Sequence, residues 1–167
     1  MPADALYTFT IYPILFILPA WVANATPVIF GGGSPLDFDK KLGGRPILGK
    51  HKTIRGTASG LLGGLMISAL ESLFLGYPIA PGAALATGAI AGDLLGSLIK
   101  RRANLKEGAS VLGMDQYLFF IMALLFALPF GAFPTLIGLA FVTVLTGLMH
   151  RASNIVAHRL KMKQVPW

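Results

Sequence analysis

The sequence predicts an all-α integral membrane protein of five transmembrane helices, on three observations. All fourteen Lys and Arg residues fall into three clusters. The stretches between the clusters are almost free of charge, and most approach the ~20 apolar residues that cross a hydrocarbon core of about 30 Å. Five such crossings put every cluster on one side, and the positive-inside bias makes that side the cytoplasm. The N-terminus is then outside, with two cytoplasmic loops and a cytoplasmic C-terminus.

The first predicted span is Leu6–Phe30. It lacks a positively charged start and a small-residue cleavage site, so it reads as a retained helix rather than a signal peptide. Asn24, Thr26 and Pro27 are expected to interrupt it near its inner third, lining a cavity or satisfying backbone groups freed by the proline. Residues 31–56 form the first cytoplasmic loop and carry Lys40, Lys41, Arg45, Lys50, Lys52 and Arg55. The second span, Thr57–Leu75, continues a ridge of Gly56, Gly60, Gly64, Ser68 and Ser72. The third, Pro81–Ile99, carries Ala84, Gly88, Gly92 and Gly96 on the same four-residue period. Such ridges let transmembrane backbones approach closely. These two helices are expected to pack on each other or on neighbours, with a homo-oligomer contact as an alternative.

Residues 100–114 form the second cytoplasmic loop, with Lys100, Arg101, Arg102 and Lys106. The fourth span is Asp115–Phe130 and the fifth Phe133–Met149, followed by Arg151, Arg159, Lys161 and Lys163. The opposite side keeps only Asp4, the turn Gly76–Gly82 and the turn Gly131–Pro134. The 167 residues thus form a single membrane domain, 1–167, with no room for a second, soluble one. A formal charge of +7 would suggest nucleic-acid binding in a soluble protein. Here topology and anchoring to anionic head groups in the bilayer account for much of it, and no nucleic-acid partner is expected. With no Cys, disulfides, thiolate metal sites and Cys nucleophiles are excluded.

Asp93 is the most informative single residue. Seven residues before Lys100, it sits about 10 Å inside the cytoplasmic end of the third span. A carboxylate there costs at least ~2.5 kcal/mol on insertion scales, so it should face a polar cavity and have a partner. Asp93, Ser97 and Lys100 share one helical face, a stripe of carboxylate, hydroxyl and ammonium. The alternative is a structural ion pair between Asp93 and a Lys or Arg of a neighbouring helix. Asp115 suits the N-terminus of the fourth helix against its dipole. Beside Asp93 it also supplies a second oxygen ligand, and two carboxylates plus substrate phosphates are the usual way to hold Mg²⁺. Glu71, near the outer end of the second span, reads as interfacial or structural.

Gly44 to Lys50 nearly matches a P-loop, but His51 stands where Ser or Thr belongs and no strand precedes the glycines. The better anion element is Lys52-Thr53-Ile54-Arg55-Gly56, whose free amides at a helix start favour phosphate. An ordinary positive-inside flank with a Thr cap is the competing reading. His51, His150 and His158 lack zinc-site spacing with acidic partners.

Several motifs now carry a resemblance. Ala23-Asn24 with Pro27, Pro35-Leu36-Asp37, Lys52-Thr53 with Arg55-Gly56, Gly92-Asp93 with Gly96-Ser97, Lys100-Arg101-Arg102 and the ending from His150 through Asn154 to Val165-Pro166-Trp167 occur in order. Together they resemble the archaeal CDP-archaeol synthases over most of the chain. The second half is also similar to the CDP-diacylglycerol synthase signature, with Glu107 for an expected Asp and Asp115-Gln116-Tyr117-Leu118 lacking that signature's last carboxylate. The resemblance implies a Mg²⁺-dependent enzyme that joins CTP to an isoprenoid ether-lipid phosphate and releases pyrophosphate. It implies that Asp93 and Asp115 hold the metal, and that Lys52, Thr53, Arg55, Gly56, Ser97 and Lys100 contact the nucleotide. Arg101 or Arg102 would receive the lipid phosphate at head-group level. A membrane CDP-alcohol phosphotransferase would need a denser set of aspartates than the seven acidic residues here. A small transporter or channel subunit with Asp93 as its ion or proton site is the non-enzyme alternative; it lacks an internal repeat.

Overall fold

The computed structural model describes residues 2–161; Lys163 and the Val165-Pro166-Trp167 ending lie outside them. Helices α1 (Pro2–Leu6) and α2 (Tyr12–Phe30) are joined by a π-helical turn, Tyr7–Ile11. Helix α3 spans Ile54–Leu75, α4 Ile79–Arg102, α5 Met114–Ala127 and α6 Leu136–Arg159. Four apolar helical stretches are long enough to cross a membrane: Asp4–Phe30, α3, α4 and α6. The fourth predicted span is shorter, Met114–Phe130, and ends in a 3₁₀ turn over Leu128–Phe130.

Three details depart from the sequence expectation. The first loop contains a small antiparallel hairpin, β1 (Lys41–Leu42) and β2 (Arg45–Pro46). Its two-residue turn, Gly43-Gly44, has φ of 60° and 77°, the left-handed pair that a tight hairpin requires. Helix α6 continues ten residues past Met149, because Leu148–Arg159 holds no Gly or Pro to stop it. Helix α2 also runs unbroken through Pro19 and Pro27, so the expected interruption at Asn24, Thr26 and Pro27 does not occur. Thr26 Oγ1 donates to the Val22 carbonyl at 2.5 Å. Pro27 leaves the Ala23 carbonyl without its helical donor, and α3 covers that oxygen: a Cβ on Gly60 would lie 2.7 Å from it.

The core joins Phe16, Ile17, Ala20 and Ala23 of α2 to Leu85, Ala86, Ala89 and Ile90 of α4, Phe119, Phe120, Ala123 and Ala127 of α5, and Val142 of α6. Helix α4 is central and packs closely on α2, α3 and α5. The glycine ridges explain the spacing. On α3, Gly60 and Gly64 face Ala23 and Pro19 of α2 as well as Ile90 and Ala86 of α4. On α4, Gly88 and Gly92 face the α5 backbone, where Cβ atoms would come within 2.5 Å of the Met122 oxygen and 2.6 Å of Phe119 Cα. The α4 ridge therefore meets α5, not α3. With lipid on the outside there is no hydrophobic drive between helices, so this close van der Waals approach holds the bundle together.

Candidate active site

The site is built where the first loop folds back over the end of α4. The base of that loop closes through a bridge between Pro35 and Thr53, with Leu36 N donating to Lys52 O at 2.7 Å and Ile54 N to Ser34 O at 3.1 Å. Asp37 organises the interior. Its carboxylate accepts from the backbone N–H groups of Leu48 (2.8 Å), Gly49 (3.2 Å) and Asp39 (3.1 Å). Burial pushes the Asp37 carboxyl up, but these N–H groups outweigh it and hold it below its ordinary value. Ser97 Oγ then donates to Leu48 O at 2.8 Å, fastening the loop to α4.

Fastened this way, the loop delivers Lys52 to Asp93. Lys52 Nζ donates to both carboxylate oxygens, at 2.7 and 2.5 Å, and the two side chains remain 25% and 32% exposed. A second ion pair lies lower on α4: Lys100 Nζ to Asp115 Oδ1, 2.8 Å, with side chains 18% and 20% exposed. Lys100 also donates to Ala109 O, and Asp115 accepts from Val111 N, so this pair orders the second loop as well. Asp93 and Lys100 are separated by a helical rise of about 10 Å. The two carboxylates thus sit in separate ion pairs. Among the described residues no three His, Cys, Asp or Glu side chains gather to hold a metal.

The other residues singled out from the sequence divide into two groups. Arg55 is exposed beside Lys52 at the opening of α3. Thr53, by contrast, is buried and caps α3, accepting from Gly56 N at 3.0 Å. Gly56 itself packs against Pro27 and Gly31. Arg101 is buried and donates to Lys106 O at 3.0 Å. Arg102 donates to the carbonyls of Leu42, Arg45 and Pro46, while Arg45 donates back to Arg102 O. Both arginines therefore bond loop backbone. The Arg102 fork meets carbonyls of the hairpin, whereas Arg101 meets one carbonyl of the second loop; among the described residues the Nε atoms of both are buried without a hydrogen-bond partner. Sequence reasoning assigned no role to Asp37 or Arg45. The signal for Asp37 was its place before the turn at Phe38-Asp39, since Asp side chains bond their own backbone two residues on.

Two compact cations parked on partly exposed carboxylates can exchange partners with an incoming polyanion. Phosphates would take the ammonium groups, and each carboxylate would be released to another cation. Multiple apolar helices around such a charged, loop-covered end define a multi-pass membrane protein.

Comparison with known proteins specifies the class further. Residues 6–167 match the CarS-like family, CDP-archaeol synthase. The CDP-archaeol synthase of Pyrococcus furiosus is 44% identical, covering 93% of this chain and 99% of the relative. That of Methanopyrus kandleri is 45% identical over 91% and 90% respectively. A solved intramembrane enzyme of archaeal membrane-lipid biosynthesis superposes with a TM-score of 0.78 at 36% identity, covering 85% of this chain and 92% of that one. The chain belongs to the CDP-archaeol synthase family, a family of membrane cytidylyltransferases in archaeal lipid biosynthesis. The transporter or channel alternative is accordingly not favoured.

Proposed function

We propose that the chain transfers CMP from CTP to an isoprenoid ether-lipid phosphate, unsaturated archaetidic acid, giving CDP-archaeol and pyrophosphate for phospholipid biosynthesis. The observation that carries this reading is the pair of ion pairs, Lys52–Asp93 and Lys100–Asp115, beneath the first loop of a chain in this family. A lipid phosphate oxygen attacks the α-phosphorus of CTP, forming a new P–O bond. The bond from the α-phosphorus to the bridging oxygen breaks, and its electron pair leaves with pyrophosphate. A phosphate oxygen is already ionised at neutral pH, so charge neutralisation and positioning do most of the work.

Lys52 and Lys100 turn from their carboxylates to the CTP phosphates, with the exposed Arg55 beside them. Ser97, Thr53 and Gly56 act one step back, by fixing the loop and the α3 start in register. Arg101 and Arg102 act likewise, so the lipid phosphate is left to Lys106 and Lys50, both exposed on these loops. The donor chemistry also fits Mg²⁺: Asp93 already chelates a compact cation through both oxygens. Asp93 and Asp115 would hold the metal with phosphate oxygens and water, and it would neutralise charge on the triphosphate. All five apolar segments cross the membrane in this reading, with the N-terminus outside and the basic loops in the cytoplasm. The lipid then enters sideways, its tails remaining in hydrocarbon.

Purified protein given α-³²P-labelled CTP and the lipid phosphate tests this directly. Label should pass into a chloroform-extractable lipid, and label in the γ position should leave as pyrophosphate. Lipid labelled from the γ position would make the enzyme a kinase and overturn the reading.

A further inference from the structure

At the end of the bundle opposite the basic loops, Glu71 of α3 has no counter-charge among the described residues. It is 9% exposed, and its Oε1 is buried without a hydrogen-bond partner. A carboxylate in such surroundings must be paired or protonated. The chain has no Lys, Arg or His in residues 1–39, 56–99 or 107–149, which include every residue that lines this region. Its other titratable neighbours are tyrosines, and they are engaged elsewhere. Tyr12 donates to Ala132 O at 2.9 Å, and the hydroxyls of Tyr7 and Tyr77 bond to each other.

Glu71 also borders two concavities, one aromatic-lined and one mostly aliphatic. One is a cavity of about 60 Å³ lined by Tyr12, Phe16, Tyr77 and Leu85 among others. The other is a wider groove whose remaining lining is wholly apolar: Leu18, Ile67, Leu70, Phe74 and Leu75. Phe74 is 75% and Leu70 42% exposed, so the groove opens on the lipid-facing side of α3. A ligand suited to both is an amphiphile with a small cationic head. Aromatic rings beside a carboxylate favour a cation, and the small cavity suits an ammonium with its first methylene. A phosphate would meet a carboxylate and no free donor.

We propose that Glu71 and its groove form a binding site for a membrane lipid with a primary ammonium head group. The ammonium pairs with the Glu71 carboxylate among Tyr12, Phe16 and Tyr77, and the chain lies along Leu70 and Phe74. The site is remote from the transfer chemistry, so its occupant is a bound membrane component rather than the substrate.

Native mass spectrometry of the full-length protein in detergent tests the proposal, using an ether lipid with an ethanolamine head and its glycerol-headed counterpart. The wild type should retain the ammonium lipid in preference by about tenfold or more, the scale of one paired charge. Glu71→Gln should abolish that preference while leaving cytidylyl transfer unchanged. Equal retention of both lipids, or a preference that survives Glu71→Gln, would overturn the proposal. Ethylammonium bound as tightly as the lipid would also overturn it, because the groove would then contribute nothing. If Glu71→Gln fails to fold, infrared spectra of wild type with ¹³C-labelled glutamate decide. An ionised carboxylate band that shifts on adding the ammonium lipid supports the site, and a protonated carboxyl band indifferent to the lipid refutes it.

Discussion

Replacing Lys52 by Gln separates a nucleotide-binding ammonium from a structural one. Lys52 donates to both oxygens of Asp93, and the two side chains are 25% and 32% exposed. An ion pair this accessible contributes about 0–1 kcal/mol to stability once water screens it. The variant should therefore fold and melt close to wild type. In the proposed role towards a triphosphate its contribution would be larger, because a charge-assisted hydrogen bond contributes about 1.5–3 kcal/mol. That corresponds to a loss of CTP affinity of roughly tenfold to 150-fold. The assay is initial rate against CTP concentration at saturating lipid phosphate, with a thermal melt of the same preparation. KM for CTP should rise by that factor. Replacing Arg159 and Lys161 together, both exposed at the far end of α6, should leave KM unchanged. A Lys52→Gln protein with normal KM but a collapsed melt would refute the reasoning and make the pair structural.

The remaining predictions concern the scaffold. Gly92→Ala would place a Cβ 2.6 Å from Phe119 Cα and 2.7 Å from Leu118 O, whereas Gly96→Ala meets only Leu118 Cδ2 at 3.3 Å. The first should destabilise by about 1–3 kcal/mol and the second should be nearly neutral, as read from melts in one detergent. Arg102→Lys should expose the hairpin at Lys41–Pro46 to protease, since one ammonium cannot reproduce the fork that holds Leu42, Arg45 and Pro46. Asp37 titrates in the folded loop below the ~3.9 of an unfolded chain. Its contribution is therefore complete above about pH 4 and disappears as pH falls through the folded value. The Leu48 and Gly49 amide resonances should report that midpoint, and a midpoint above about 4 would contradict it.

Much of the bundle was legible because lipid imposes a simple rule: charge-free runs cross and charged runs do not. The extension of α6 past Met149 escaped that rule, since helix continues in water wherever sequence propensity allows. The glycine period was readable, but its partner was not. A small-residue face on α4 serves equally well against α3 or α5, and only packing chose α5. Asp93 stood out through its depth alone, and its cation proved to be Lys52, from a loop whose path no local pattern reveals. The surroundings of the two arginines were hidden for a related reason. Arg102 turns its donors to carbonyls of the hairpin and Arg101 to Lys106 O of the second loop, partners that exist only once those loops have folded.

Turnover of Asp93→Asn, measured beside its melt and its insertion into membranes, tests the role of the Lys52–Asp93 site most directly. Asn preserves the shape of Asp93 and can still accept a bond from Lys52, but it removes the charge that, in the proposed mechanism, would hold a cation against the triphosphate. The variant should insert, purify and melt like wild type while passing no α-³²P label from CTP into lipid. Wild-type-like label transfer by a folded Asp93→Asn protein would contradict the assignment of the reaction to this site.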